Sequence, residues 1–469
     1  MQMYQLNTLS LTDERAVAWD NFVNANDEAT FFHLSGWQQI IADAGHQCYY
    51  LYATLDNNIV AVLPLARVKS LLFGDALVST PFCVYGGAVG TAPAKRFLEQ
   101  QAIQLATRLA VQHIEFRYKT AQDNDLVTRI SHAYFACELA DTAEQILANI
   151  KKKQRAVLRH ALNEDLHFTL DNHTAEFYHT YSQSVRNLGT PVFSQAFFAK
   201  IMAVFAEQTE ILTVRKHGKA VSSVLSFYYK NEVLPYYGGG TLQAKDLKSN
   251  DFMYYQLMCH AQADKACQRY DFGRSKIDSG AYHYKRHWGM QAVELPYQYQ
   301  LITARQLPNL SPNNPRYQLF IKLWQIRSQL LQIDNLKAYL YTTARNFSLN
   351  YIEKNARNPA SQLHDIDMET VVEFNSPEDL FISNETIKGI EQVVQGLPTQ
   401  CKIVFQLVKE EGLKYKEVAA VLNISVFTVR NQMSIATKKI GDALSYRVSA
   451  RYGLGIPNLI NGGNPAQTD

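Results

Sequence analysis

The stretch Tyr270 to Met290, YDFGRSKIDSGAYHYKRHWGM, gathers glycines, cations, acids, histidines and aromatic anchors into one segment. Its start, Tyr270-Asp271-Phe272, suits a short buried strand, and Gly273 and Gly280 let the backbone bend or approach a ligand without a Cβ clash. The rest reads as a binding loop closed by Trp288-Gly289. Arg274, Lys276, Lys285 and Arg286 place positive charge where the chain turns, as contacts for an anionic substrate. Chemistry at such a site needs orientation and a base, and Asp271, Asp278, His283 and His287 are the candidates here. The competing reading is a cationic surface turn between two strands.

A second set of residues suits nucleic acid. The segment YKEVAAVL, a three-residue break, Ser425 as an N-cap and the helix VFTVRNQMSIATKKI form a helix-turn-helix pattern. Thr428, Arg430, Asn431 and Gln432 near the start of the second helix are types that reach base edges or phosphates, with Lys438 and Lys439 farther along. A plain helical hairpin has the same apolar spacing. A third cluster, Lys151, Lys152, Lys153, Arg155 and Arg159, reads as a solvated helix face or as an anion contact.

The 469 residues exceed one ordinary core, so two to four domains are expected. A net charge of +3 makes no case for a general polyanion binder, so such binding has to rest on a local segment. The six cysteines show no C-x-x-C spacing and no partnered histidines, which speaks against zinc and against a disulfide framework. The first twenty residues lack a basic start and apolar run, and no apolar stretch reaches the roughly 18 residues of a membrane span. A cytoplasmic chain without metal is the expectation.

Positioning elements follow in order. Asp13 to Ala44 has a helical apolar face, and CYYLYATLDNNIVAVLPLARV reads as a hairpin turning at Asp56-Asn57-Asn58. Helix AKRFLEQQAIQLATRLA and strand HIEFRYK complete an α/β unit. AEQILANIKKKQRAVLRHALNEDL reads as a helix opening a second unit, followed by two further helices, then strands turning at His217-Gly218, and a helix over 251–268. After LPNLSPNNP the chain reads as helical, with an acidic connector over 359–377.

DFGRSK followed by YKRHWG resembles the signature of FemAB-like proteins of the acetyltransferase (GNAT) superfamily, of the type associated with exopolysaccharide and exosortase gene clusters. FFHLSGWQQII, KKKQRAVLRHA, YYGGGTLQAKDLKSNDFMYYQLM and ITARQLPNLSPNNPRY extend the resemblance from the N-terminus to about residue 317. It implies tandem α/β acetyltransferase-like domains over 1–140 and 141–310, and it implicates Lys285, in the aromatic-Lys-x-x-aromatic-Gly motif, in substrate phosphate binding. In such folds the loop after a central strand leads to a helix whose N–H groups hold a carrier's phosphates. That assigns Lys245, Lys248, Ser249 and Asn250 to the donor, with ordinary capping by Ser249 or Asn250 as the alternative. The acetyl-CoA signature, Arg or Gln followed by x-x-G-x-G or A, is missing, so acyl-CoA and aminoacyl-tRNA both stand as donors.

LKAYLYTTARNFSLNYI and LPTQCKIVFQLVKEEGLKYKEVAAVLNISVFTVRNQM resemble regions 2 and 4 of extracytoplasmic-function sigma factors. This implies an all-α module: part of region 2 over 319–358, region 4 over 378–445, and a tail over 446–469. The helix-turn-helix of region 4 implies DNA as a partner, while the acidic start of the core-polymerase-binding helix is absent, which leaves little specific surface for the polymerase core. RYQLFIKLW fits both resemblances at the join. The expected function is acyl or aminoacyl transfer to an amine of an envelope or polysaccharide precursor, fused to a truncated DNA-binding module. The alternatives are a transcription regulator with a ligand-sensing acyltransferase-like part, and a recombined chimera without physiological function.

Overall fold

The computed structural model describes residues 3–307, apart from 13, 71–73 and 188–191, and residues 396–451, apart from 410–414 and 423. The chain divides into two compact units, with the first described stretch in one and the second in the other. The expected region 2 helices and the acidic connector lie outside the described residues.

The larger unit is built on one 13-stranded sheet. Its first half runs β1 (Gln5–Leu9), α1 (Ala16–Ala25), α2 (Gly36–Asp43), β2 (Gln47–Leu55), β3 (Asn58–Ser70), β4 (Gly74–Val78), β5 (Val89–Gly90), α3 (Ala92–Arg108), β6 (His113–Phe116) and β7 (Val127–Glu138). The second half repeats the order. It runs α4 (Ala143–Asn149), α5 (Lys152–Asn163), β8 (His167–Asp171), α6 (Ala175–Asn187), α7 (Gln195–Val204), β9 (Thr209–Lys216), β10 (Lys219–Tyr229), β11 (Glu232–Gly240), α8 (Ala244–Leu247), α9 (Ser249–Ala263), β12 (Arg269–Lys276), α10 (Gly280–His287) and β13 (Gln291–Leu301). Two tight turns hold where the sequence placed them: Asp56 and Asn57 adopt φ of 50° and 66°, and His217 and Gly218 adopt 50° and 76°.

Strand order is β1-β2-β3-β4-β6-β13-β7-β12-β11-β10-β9-β8, with β5 on β3. The centre of the sheet is an exchange. β13, last in sequence, pairs with β6 of the first half, while β7 pairs with β12 of the second. Side-chain alternation gives each face its own core. Ile211, Leu225, Phe227 and Leu234 join Trp19, Trp37, Phe177 and Phe198 beneath α1, α2, α6 and α7. Leu212, Val214, Val224 and Val233 join Met253, Phe272 and Trp288 beneath α4, α5, α9 and α10.

Two sequence expectations change. The single helix over AEQILANIKKKQRAVLRHALNEDL breaks between α4 and α5, where Ile150 and Lys151 take ψ of 139° and 144°. The binding loop after Gly273 is instead strand, turn and helix: the Ser279 hydroxyl accepts the Tyr282 N–H at 3.2 Å and starts α10.

The smaller unit contains α11 (Thr399–Lys409), α12 (Tyr415–Val421) and α13 (Val426–Arg451). Leu397, Cys401, Val404 and Phe405 pack with Val418 and Ala419 and with Val429, Met433 and Ala436, which recur on one face of α13.

Candidate functional site

β11 and β12 run parallel but are paired only at Glu232↔Arg269 and Val233↔Tyr270. Beyond that point β11 continues to Gly240 against β10, and β12 continues to Lys276 against β7, so the two strands part. The facing backbone edges of 234–240 and 271–276 have no strand partner across the divide among the described residues. The corresponding place in the first half is closed by the chain after β4: Ser79 donates its N–H to Glu115 O, and Gly86 donates to Arg117 O.

An acidic cluster sits where β11 and β12 part. Asp271 is 0% exposed and accepts from the Tyr85 hydroxyl at 2.7 Å and the Gly273 N–H at 2.8 Å. The Lys119 ammonium lies 3.6 Å from the same carboxylate and over the rings of Tyr85 and Tyr134. Glu232 receives Arg269 Nε at 2.9 Å. Burial, and then the charge of Asp271, push the Glu232 carboxyl up to about 7, against the opposing pull of Lys119 and Arg269. A carboxyl titrating there suits proton abstraction from an ammonium or amine. Glu232, Tyr85 and Lys119 have no local motif to mark them in the sequence; only the fold assembles them.

The other proposed residues are dispersed around α10. Ala281, Lys285 and Trp288 face inward at helical spacing, whereas Asp278, His283 and Arg286 are exposed and His287 is half-buried. Lys285 is 2% exposed, and its ammonium donates to the carbonyls of Gly273 at 3.3 Å and Arg274 at 2.9 Å. It thereby props a bulge in β12, where Gly273 takes φ +73°. Its chain lies over Phe272 and Phe135, on the face opposite Tyr85, so Lys285 and Asp271 are not brought together. Arg274 donates to the Tyr297 hydroxyl at 2.9 Å, and Lys276 is half-buried at the end of β12.

Lys245 lies in α8, Lys248 turns the chain into α9 with φ +52°, and Ser249 and Asn250 begin that helix. Ser249 is fully buried with no partner for its hydroxyl, and the Thr241 hydroxyl nearby is equally unmatched. An anionic group at this helix end would satisfy both. Asp251 shares the first turn, and its carboxyl accepts from Gln154 and Tyr284 while burial raises its pKa. Among the described residues no group of three or more His, Cys, Asp or Glu side chains could hold a metal ion, and no helix is long and apolar enough to cross a membrane.

In the helical unit, the Ser425 hydroxyl accepts the Thr428 N–H at 2.9 Å, the N-cap expected for α13. Arg430, Asn431, Lys438 and Lys439 are exposed. Thr428 is half-buried and engaged with Ser425, and Gln432 turns toward Cys401 of α11. Phe427 is 67% exposed and shares a face with Arg430, Asn431 and Lys438, an exposed aromatic absent from the sequence assignment.

Comparison with known proteins finds one family match within each unit. The acetyltransferase (GNAT) domain family matches residues 144–286, and sigma-70 region 4 matches residues 387–440. The ECF RNA polymerase sigma-E factor of Escherichia coli K12 is 26% identical over 163 residues, 33% of this chain and 85% of that protein. That stretch is longer than the 319–445 assigned from sequence and spans most of the sigma-E factor. Among solved structures, FemX aligns over 67% of this chain and 100% of its own at 13% identity and TM-score 0.49. A tandem GNAT protein from the clavulanic acid biosynthesis pathway aligns over 65% and 100% at 8% identity and TM-score 0.42.

Proposed function

We propose that this chain, which joins a GNAT-type acetyltransferase domain to a sigma-70 region 4 domain, transfers an acyl or aminoacyl group to an amine and binds duplex DNA through its helical unit. The parting of β11 and β12 after two paired positions carries the first half of this reading, because it offers unpaired backbone edges to an extended donor beside the acidic cluster. The donor is acyl-CoA or aminoacyl-tRNA. Its phosphates lie at the start of α9, near Ser249 and Lys248, and its acyl carbonyl reaches the point where the strands part.

Glu232 takes the proton as the acceptor amine forms the new C–N bond. The donor's thiol or ribose hydroxyl leaves with a proton in exchange. Asp271 acts through Glu232, holding its pKa high, and Lys119 and Tyr85 hold Asp271. The acceptor class is an amine of an envelope or polysaccharide precursor. The acidic start of the core-polymerase-binding helix is missing, which leaves the polymerase core little specific surface on this chain, and the chain acts in the cytoplasm.

The test is a thermal-shift screen of the intact chain with acyl-CoAs, aminoacyl-tRNA and nucleotide-sugars, followed by mass spectrometry of an amine acceptor with whichever donor stabilises it. Stabilisation and amide product are expected from one donor class. Salt-sensitive duplex binding with neither would make the larger unit a sensor and not an enzyme.

A further inference from the structure

Asp251 fixes α5 and α10 together. Its Oδ1 accepts from the Gln154 side chain, on the inward face of α5, and from the Tyr284 hydroxyl of α10 at 2.8 Å. The main chains meet as well: a Cβ on Gly289, just past α10, would lie 2.8 Å from the Asn149 carbonyl oxygen, just before α5. Gln154, Leu158 and Ala161 point inward from α5, as Ala281, Lys285 and Trp288 do from α10. The outward side therefore collects Lys151, Lys152, Lys153 and Arg159 from one element and His283 and Arg286 from the other, all exposed.

Among the described residues none of Lys151, Lys152, Lys153, Arg159 and Arg286 forms an ion pair. Asp251 is engaged as above, and Glu164 pairs with Lys216 at 2.5 Å. His287, half-buried between the two helices, is held below its usual pKa by burial and then by Lys153 and Lys151, so both helices share one positive field.

We propose that this face is a phosphate-contact surface for duplex DNA. A surface of this extent exceeds what one diphosphate can neutralise and suits a polymer of phosphates. The region 4 domain of the same chain makes duplex DNA the phosphate polymer to which the chain is directed. This rests on the DNA-binding reading of the helical unit.

The experiment measures binding of the intact chain to a labelled duplex of about 30 base pairs across a salt series. Combined Lys151→Ala, Lys152→Ala, Lys153→Ala and Arg286→Ala should flatten the slope of log affinity against log salt by about 3 to 4, at about 0.9 per lost phosphate contact. Replacing the three lysines by Arg should keep the wild-type slope. Arg430→Ala, in the other unit, should weaken binding independently of the quadruple change. If Arg430→Ala weakens binding while the quadruple variant keeps the wild-type slope, this proposal fails and the DNA-binding reading stands. If wild type binds no duplex even at low salt, both fail. If structured RNA or anionic vesicles compete better than duplex, the surface belongs to that ligand and the proposal is overturned.

Discussion

Glu232→Gln tests the acidic cluster through its proton. The folded chain holds the Glu232 carboxyl at about 7, above the 4.5 of an unperturbed glutamic acid. The folded state therefore binds more protons than the unfolded state between those values, and stability falls as pH rises through that window. A shift of that size corresponds to about 3 kcal/mol at most, at about 1.4 kcal/mol per unit. Charge shared with Asp271 and Lys119 reduces the expected effect to about 1–2 kcal/mol between about pH 5.5 and about pH 7.5. The glutamine variant carries no such proton, so its stability should gain on wild type by that amount across the same range. Urea unfolding followed by tryptophan fluorescence reports it, since Trp19, Trp37 and Trp288 all lie in this unit. With a turnover assay in hand, the variant should also lose the limb of the pH–rate profile near neutrality. Parallel stability profiles for the two proteins would refute the coupling.

Trp288 is buried against Phe272, Tyr254 and Tyr284, so Trp288→Ala should cost about 3–5 kcal/mol in urea unfolding, and a change within error would show that the ring anchors nothing. Lys285→Ala strands two carbonyls in the β12 bulge and should cost about 1–3 kcal/mol; full stability with lost donor binding would instead make the ammonium a ligand contact. Phe427→Ala should leave the melting temperature unchanged and lower affinity for one preferred DNA sequence by about 1–3 kcal/mol through lost contact with a thymine methyl, whereas an equal loss on every sequence would exclude base reading.

Local signals made the meander and the caps legible. Apolar alternation marks β9 to β11, left-handed residues mark their turns, and Ser425 announces α13. The sheet's centre was not legible, because exchange of β7 and β13 depends on pairing between distant segments and leaves no local trace. α10 was hidden for a different reason. A lysine occupies one of its inward positions, so the helical period of Ala281, Lys285 and Trp288 reads as a cationic loop until the Ser279 cap and the bulge carbonyls explain it. The acidic cluster joins Tyr85 to Asp271 across 186 positions of sequence, which only the fold can bring together. In the helical unit, residue type picked out Arg430 and Asn431, but it could not tell that Gln432 turns inward while Phe427 faces solvent.

The most direct measurement is hydrogen exchange on the intact chain with and without saturating donor, using acetyl-CoA and aminoacyl-tRNA in separate arms. One of them should slow exchange at the unpaired edges of β11 over 234–240 and β12 over 271–276, and at the first turn of α9, while leaving the closed counterpart after β4 unchanged. Protection confined to other segments, or none with either donor, would contradict an acyl-transfer site between these two strands.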